Sequence, residues 1–389
     1  MTKLDKLIQE LCPEGVEYKE ISEVTNYEQP SKYIVKSTAY HDEYEIPVLT
    51  AGQSFVLGYT DESDGVYPAS KATPVIIFDD FTAAFKWVVF PFKVKSSAMK
   101  IITAKEDSLL IRFLFHWMGV LNYSSTEHTR LWIGTYSKFR IPVPPLPVQR
   151  EIVRILDNFT ELTAELTAEL TARKQQYAYY RDKLLTHSSE TKICKLADVC
   201  ESIADGDHMP PPKADDGIPF ITISNITEQN KIDFSNTMFV PSSYYDALAD
   251  KRKPHSGDIL YTVVGSYGIP VCIEQDTKFV FQRHIAILRP RSEVIKARYM
   301  FHAMQSGAFK AQADKAAKGA AQKTIGLSSL AEMTLPVPDM CIQERLVRVL
   351  DNFDAICTDL NIGLPAEIEA RQKQYEYYRD KLLSFEEKT

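Results

Sequence analysis

Apolar residues recur at spacings of three and four in two long stretches of the chain: Ile152, Ile155, Phe159, Leu162 and Leu166, resumed by Tyr177, Tyr180 and Leu184, and then Ile342, Leu346, Val349, Phe353, Ile356 and Leu360. This is the period of an amphipathic helix with a coiled-coil-like seam. Each pattern predicts a helix of some 35 residues, roughly 50 Å at about 1.5 Å per residue. A helix of that length with one apolar stripe needs a partner, and the natural partner is the other copy. Prolines precede each pattern, at Pro142, Pro144, Pro145 and Pro147 and at Pro336 and Pro338. Proline continues neither a helix nor a central strand, so each run predicts an extended hinge at which a domain ends. Before each helix, short β-branched and aromatic runs separated by Gly, Asp and Ser clusters predict mixed, mostly β domains with a few helices.

The helical stretches are copies of one another. Arg371–Leu383 repeats Arg173–Leu185 with ten identities in thirteen positions, and Leu335–Phe353 repeats Ile141–Phe159 in pattern. Weaker likenesses link the intervening regions: Ile46-Pro-Val-Leu-Thr50 with Ile218-Pro-Phe-Ile-Thr222, Pro74–Phe78 with Asp258–Tyr261, and Phe115-His116 with Phe301-His302. One architectural unit is therefore built twice. The expected fold is α+β: two mixed, mostly β domains joined by two long antiparallel coiled-coil-like helices in a pseudo-twofold internal repeat. The expected boundaries are residues 1–145 for the first domain and 146–188 for the central helix. Residues 189–339 form the second domain and 340–389 the C-terminal helix.

The two helices differ. Residues 160–172 read Thr-Glu-Leu-Thr-Ala-Glu-Leu-Thr-Ala-Glu-Leu-Thr-Ala, a four-residue repeat. Each unit advances about 400° around a helix, so its leucines drift by about 40° per step and hold no single seam for long. Its simplest role is as a spacer, in which one unit more or less changes length by about 6 Å; a plain surface helix of good formers is the alternative. In the second copy, Gly363 and Pro365 should break or kink the helix, with Pro365 restarting it in a first turn.

With 389 residues, 44% hydrophobic and 25% charged, the chain can hold two globular domains with their own cores. No stretch is long and apolar enough for a membrane span, and the first residues lack the apolar core of a signal peptide, so a cytoplasmic protein is expected. The six cysteines are scattered without C-x-x-C, which fits reduced thiols and gives no metal site. A net charge of −7 argues, taken alone, against a nucleic-acid partner, but distribution matters more than the sum. From Phe85 to Thr103 lie Lys86, Lys93, Lys95 and Lys100 and no acid; from Lys310 to Lys323 lie Lys310, Lys315, Lys318 and Lys323 against Asp314 alone. Lys251-Arg-Lys253 adds a further knot. A solvated polar face explains any one cluster, whereas a surplus in both halves favours phosphate contact.

Candidate contact residues follow from these clusters and from the loops beside them. Gly265, Ser266, Tyr267 and Gly268 form a glycine loop after an apolar strand, where backbone can approach a ligand closely; Asp79–Thr82 is its counterpart. Gln322 and Lys323 lie in Gly319–Ile325, opposite Ser124–Arg130, which ends in Arg130. Gln282, Arg283 and His284 offer an amide, a guanidinium and an imidazole. Gln suits adenine and Arg suits guanine in the major groove. Each of these could also be a structural turn or a satisfied polar cluster.

The order of a variable domain, a P-x-P-P-L-x-x-Q-x-x-I-V-x-I-L-D helix, TAEL repeats, a second variable domain and a second helix ending Y-Y-R-D-K-L-L resembles the specificity subunit of type I restriction-modification enzymes. The likeness covers nearly the whole chain. Glycine loops and G-x-x-Q-x-x-I segments of that family match Gly265–Gly268 and Gly319–Ile325. The first domain departs from it, with no glycine at Phe81 or Thr82 and Ser124 in place of the loop glycine. The resemblance implies that each domain reads one half of a split, asymmetric double-stranded DNA site and that the helices set the gap. It further implies that the helices dock two modification subunits, which transfer methyl from S-adenosylmethionine to adenine, and that restriction subunits using ATP and Mg²⁺ join them. No cofactor is expected in this chain and no catalysis, and the sequence has no G-x-x-x-x-G-K-[ST], G-x-G-x-x-G or Asn/Asp-Pro-Pro-aromatic motif. Two other readings remain: a helical scaffold linking two non-DNA ligand-binding modules, and an enzyme using Cys272 or His284, for which no paired base stands at a recognisable spacing.

Overall fold

The computed structural model describes residues 2–50, 54–105, 108–123, 129–186, 191–206, 211–227, 229–320, 322–358 and 363–388. The chain divides into two compact units, residues 1–165 with 369–389, and residues 166–368. Each unit therefore combines one mostly β domain with one end of both long helical stretches.

In the first unit a four-stranded antiparallel sheet has the order Thr25–Glu28, Met99–Ala104, Val75–Asp79, Phe85–Val88. Val75–Asp79 is buried along its whole length, which is why it reads as an unbroken apolar run. Ile76 and Phe78 face Phe113, Leu114 and Leu156 on the helical side. Val75 and Ile77 face Phe92 and Val94 on the other. A three-stranded sheet has Ile46–Leu49 at its centre, antiparallel to Val56–Thr60 and parallel to Lys93–Val94.

The second unit repeats this strand for strand. Its four-stranded sheet runs Cys200–Asp205, Ile285–Pro290, Ile259–Thr262, Pro270–Cys272, and its three-stranded sheet is Met238–Val240, Ile218–Ile221, Val280–Phe281 with the last pair parallel. The weak sequence matches at Ile46 and Ile218 thus mark equivalent central strands.

The proline runs begin in ribbon strands, at Pro142 and Pro336, while Pro144, Pro145 and Pro338 lie in the short links to the helices and Pro147 in the first helical turn. Arg140–Pro142 pairs with Tyr18–Glu20, and Thr334–Val337 with Lys192–Lys195. Two-stranded ribbons leave one side of each strand free, so a residue without an N–H is tolerated there. The helix after the first ribbon is continuous from Leu146 to Leu185, 40 residues through the TAEL repeats. The second stretch is helical over Met340–Thr358 and again over Leu364–Leu382, with Pro365 in the first turn of the restart; Asn361 and Ile362 lie outside the described residues. Among the described residues no helix is long and apolar enough to cross a membrane.

Each helix start is fixed to its domain by a buried glutamine. The Gln149 side chain accepts from the Leu110 N–H (2.8 Å) and donates to the Ser108 and Pro144 carbonyls (2.8 and 2.7 Å). Gln343 does the same with the Lys296 N–H (2.9 Å) and the Val294 and Pro338 carbonyls (3.0 and 2.8 Å).

A second fixture recurs deeper along the helices. In the first unit His116 Nε2 lies 2.9 Å from Asp157 Oδ1, Arg112 donates to the same oxygen (2.7 Å), and Tyr375 stands 3.0 Å from His116 Nδ1. A carboxylate only accepts, so Nε2 carries the proton and Nδ1 accepts from the phenol. The second unit has His302, Asp351, Arg298 and Tyr177 in the same roles, at 2.7 Å, 2.6 Å and 2.8 Å. Tyr177 and Tyr375, the first tyrosines of the two repeats, are therefore structural anchors, each seated on a buried histidine.

Candidate nucleic-acid interface

In the second unit the loop residues singled out from sequence converge at one end of the four-stranded sheet. Strand Ile259–Thr262 ends there and strand Ile285–Pro290 begins. The backbone of Val263 joins two loops: its N–H donates to His284 (2.8 Å) and its carbonyl accepts from Ile325 (2.8 Å). The Gly265 N–H donates to the Lys323 carbonyl (3.0 Å), and Lys318 and Thr324 exchange backbone bonds. Gly265 and Gly268 have φ +74° and +93°, and a Cβ on Gly265 would lie 3.3 Å from the Gln322 amide nitrogen. The glycine there allows both a left-handed turn and close approach of Gln322.

These loops enclose a cleft of about 420 Å³ lined by Asp205, Val264, Arg283, His284, Gln322 and Thr324, among others. Arg283, Ser266, Lys318, Gln322 and Lys323 are exposed, and Gln282, His284 and Tyr267 are half-buried. Burial, and then the neighbouring Arg283, hold the His284 imidazole below its ordinary range, which favours the neutral ring with one donor and one acceptor. The Tyr267 phenol donates to Asp314 (3.0 Å), and this bond pushes its own titration up. Of the Lys251-Arg-Lys253 knot, Arg252 lies 3.6 Å from Asp205 and Lys253 donates to the Asp246 carbonyl.

The equivalent end of the first unit is built differently. Leu131 donates to the Asp80 carbonyl (2.8 Å), as Ile325 does to Val263, so Asp80 stands where the other unit has Val263. The Asp80 carboxylate accepts from the Trp132 N–H (2.9 Å), pairs with Lys100 (3.3 Å) and lies 4.0 Å from the exposed Arg130. In place of the glycine turn, the Asp79 carboxylate accepts from the N–H groups of Phe81 and Thr82 (2.8 and 3.2 Å), and Ala83 takes φ +60°. An Asx turn thus does locally what glycine does in the other half. Residues Ser124 to His128 of the facing loop lie outside the described residues.

The first basic cluster divides in two. Lys86 and Lys95 are exposed, with Lys95 over the Tyr40 ring at 6.0 Å. Lys93 and Lys100 are buried, at 1% and 2% exposure. Lys93 pairs with Glu62 (3.1 Å) and donates to the Asp64 carbonyl, while Lys100 donates to Gln29 and pairs with Asp80. Asp80 falls in the loop singled out from sequence, but its ion pair with Lys100 was not anticipated. Sequence reading also overlooked the roles of Gln149, Gln343, His116 and His302, although their repetition in both halves was the available signal. Among the described residues no group of three or more His, Cys, Asp or Glu is arranged to hold a metal ion.

Two domains of one topology, each with a polar loop cluster at the same sheet end and different side chains on it, define a duplicated recognition protein. The chain belongs to a known family of that kind: the model described as the type I restriction modification DNA specificity domain matches residues 13–173 and 188–370. It is 40% identical to the Escherichia coli "Type I restriction enzyme EcoR124I/EcoR124II specificity subunit", over 99% of this chain and 97% of that one. The crystal structure of the S subunit of a type I restriction-modification system from M. genitalium shares its fold at a TM-score of 0.55 with 13% identity, covering 95% of this chain and 96% of that one. A structure described under complex assembly and conformational transition of the type I R-M system matches at a TM-score of 0.55 with 16% identity, over 95% and 97%.

Proposed function

We propose that this chain is the sequence-reading, non-catalytic component of a cytoplasmic type I restriction-modification complex. Each domain reads one half of a split double-stranded DNA site. The observation that carries this reading is the pairing of one scaffold with two chemistries: the same sheet end presents Arg283, His284, Gln322 and Lys323 in one half and Arg130 beside Asp80 in the other. An asymmetric bipartite target needs such a pair. Base contacts fall to Gln282, Arg283, His284 and Gln322 in the second half and Arg130 in the first. Ser266, Lys318, Lys323, Lys86 and Lys95 meet phosphates, and Gly265 and Tyr267 shape the loop. Lys93 and Lys100 act one step back, by holding the 62–65 and Asp80 loops.

The helices set the gap between half-sites and dock two modification subunits, which supply S-adenosylmethionine chemistry; restriction subunits supply ATP- and Mg²⁺-dependent steps. Replacing residues 1–145 by the corresponding domain of a relative should change one half of the methylated sequence and leave the other. Methylome sequencing that found both halves altered, or neither, would sink the proposal. Deleting residues 163–166 shortens the helix by about 6 Å and should change the gap while both half-sequences persist. The scaffold alternative would be favoured if the assembled complex kept its DNA affinity after Lys86, Lys95, Lys318 and Lys323 were all changed to Ala, since each lost phosphate contact should flatten the salt dependence by about one.

A further inference from the structure

The two units differ at a second place, away from the loop clusters, where the edge strand of the four-stranded sheet meets the helices. In the first unit Trp87 pairs across the sheet with Ile76, and in the second Cys272 pairs with Ile259. Ile76 and Ile259 both face the helical core, so Trp87 and Cys272 are equivalent positions. The Trp87 indole lies 4.7 Å from the Arg112 guanidinium and makes a corner with Phe115, which is also 4.7 Å from it. In the second unit Arg298 keeps the matching ring, Phe301 at 4.6 Å, but the other wall of the corner is a thiol.

A cleft of about 420 Å³ opens there, lined by Phe234, Phe279, Phe301, Cys272, Arg298 and Asp354 among others. Asp354 is a second departure. The Asp157–Asp351 correspondence puts Thr160 at the equivalent position, where its hydroxyl bonds back to the Asp157 carbonyl (2.9 Å). Asp354 reaches Arg298 only at 3.5 Å, and burial pushes its carboxyl above the usual range, the mark of a carboxylate short of donors. The second half has thus lost an indole and gained an acceptor beside the vacated space.

We propose that this cleft binds a planar aromatic ring carrying an N–H, of the indole class, seated on Arg298 as Trp87 is seated on Arg112 and donating to Asp354. The proposal is independent of the DNA-reading role. The site suits the ligand by aromatic walls, a stacking cation and a single directed acceptor.

Indole should bind the full-length chain saturably, with Kd on the order of 1 mM as expected for a fragment of that size, and benzofuran, which lacks the N–H, several-fold more weakly. Cys272→Trp should abolish indole binding at least tenfold by filling the cleft. Asp354→Thr should erase the preference for indole over benzofuran. Indole should also slow alkylation of Cys272 in the unaltered chain and leave the exposed Cys341 unaffected, a readout that stands even if a variant fails to fold. A titration that does not saturate, equal binding by the Cys272→Trp chain, or alkylation of Cys272 indifferent to indole would each overturn the proposal. Binding of free indole would assign a small-molecule ligand. Binding of N-acetyltryptophanamide as well as indole would assign a tryptophan side chain of a partner.

Discussion

Where the sheet end of the second unit has Val263 backed by Ala286, the first has Asp80 backed by Lys100, both buried. The same backbone bonds hold both sites, so topology did not require the ion pair. A buried pair of this kind adds little net stability over an apolar one, because desolvation offsets attraction, but losing one partner is costly. What the pair adds is a fixed carboxylate that positions the 130–132 loop and stands beside Arg130. The comparison teaches that these domains vary this sheet end partly from beneath, through a buried charge that stands beside an exposed one.

The largest effect should come from breaking that pair. Lys100→Ala leaves Asp80 buried without its cation and should cost about 3–5 kcal/mol. Adding Asp80→Val, which imitates the second unit, should recover most of the loss. Trp87, Trp117 and Trp132 are the only tryptophans and all lie in the first unit, so urea unfolding followed by tryptophan fluorescence reads that unit alone. No recovery in the double variant would mean the two sheet ends are not interchangeable solutions. Gln149→Ala and Gln343→Ala test the opposite claim, that the frame is equivalent in both halves. Each removes three buried hydrogen bonds and should cost about 2–3 kcal/mol; a marked difference in thermal unfolding between them would break the equivalence.

Acid sharpens the comparison of the two histidine fixtures. His116 faces Asp157, Tyr375, Arg112 and Arg379, and His302 faces Asp351, Tyr177, Arg298 and Asp354. Burial, above the opposing pull of the aspartates, holds both imidazoles below their ordinary value. The folded protein therefore binds protons less readily than the unfolded chain. Stability should be full above about pH 6.5 and fall as pH drops from there towards the folded values, by at most about 1.4 kcal/mol per pH unit for each histidine. Urea midpoints measured from pH 7.5 to 5 check this, and His116→Gln should remove the first unit's share only. The smallest effect lies in the turns. Gly265→Ala should destabilise the second unit by about 1 kcal/mol, whereas Ala83→Gly, which relieves a left-handed alanine, should stabilise the first slightly. Calorimetric melting of both variants would show whether glycine and the Asx turn are equivalent devices.

The repeat and the helical period made the two-copy frame legible in the sequence, because side-chain periodicity is a local property. Local signals missed the pairing of Pro142 and Pro336, since a ribbon strand and an extended link look alike until the partner strand is known. The loop cluster of the second unit was also legible, because glycines at φ +74° and +93° declare a special backbone in one dimension. Its counterpart was not, because an Asx turn with Ala83 in the left-handed region has no glycine to announce it.

By itself the sequence determined that one unit is built twice around long helices, with basic clusters in both halves; these follow from composition and spacing along the chain. Only the tertiary structure decided which charges are available. Lys93 and Lys100 look like Lys86 and Lys95 in sequence, yet Glu62 and Asp80, brought in from 31 and 20 residues away, draw them inside. Tyr177 and Tyr375 likewise find His302 and His116 only through the fold, across more than a hundred residues of chain. Burial and pairing depend on neighbours distant in sequence, and only folding supplies those.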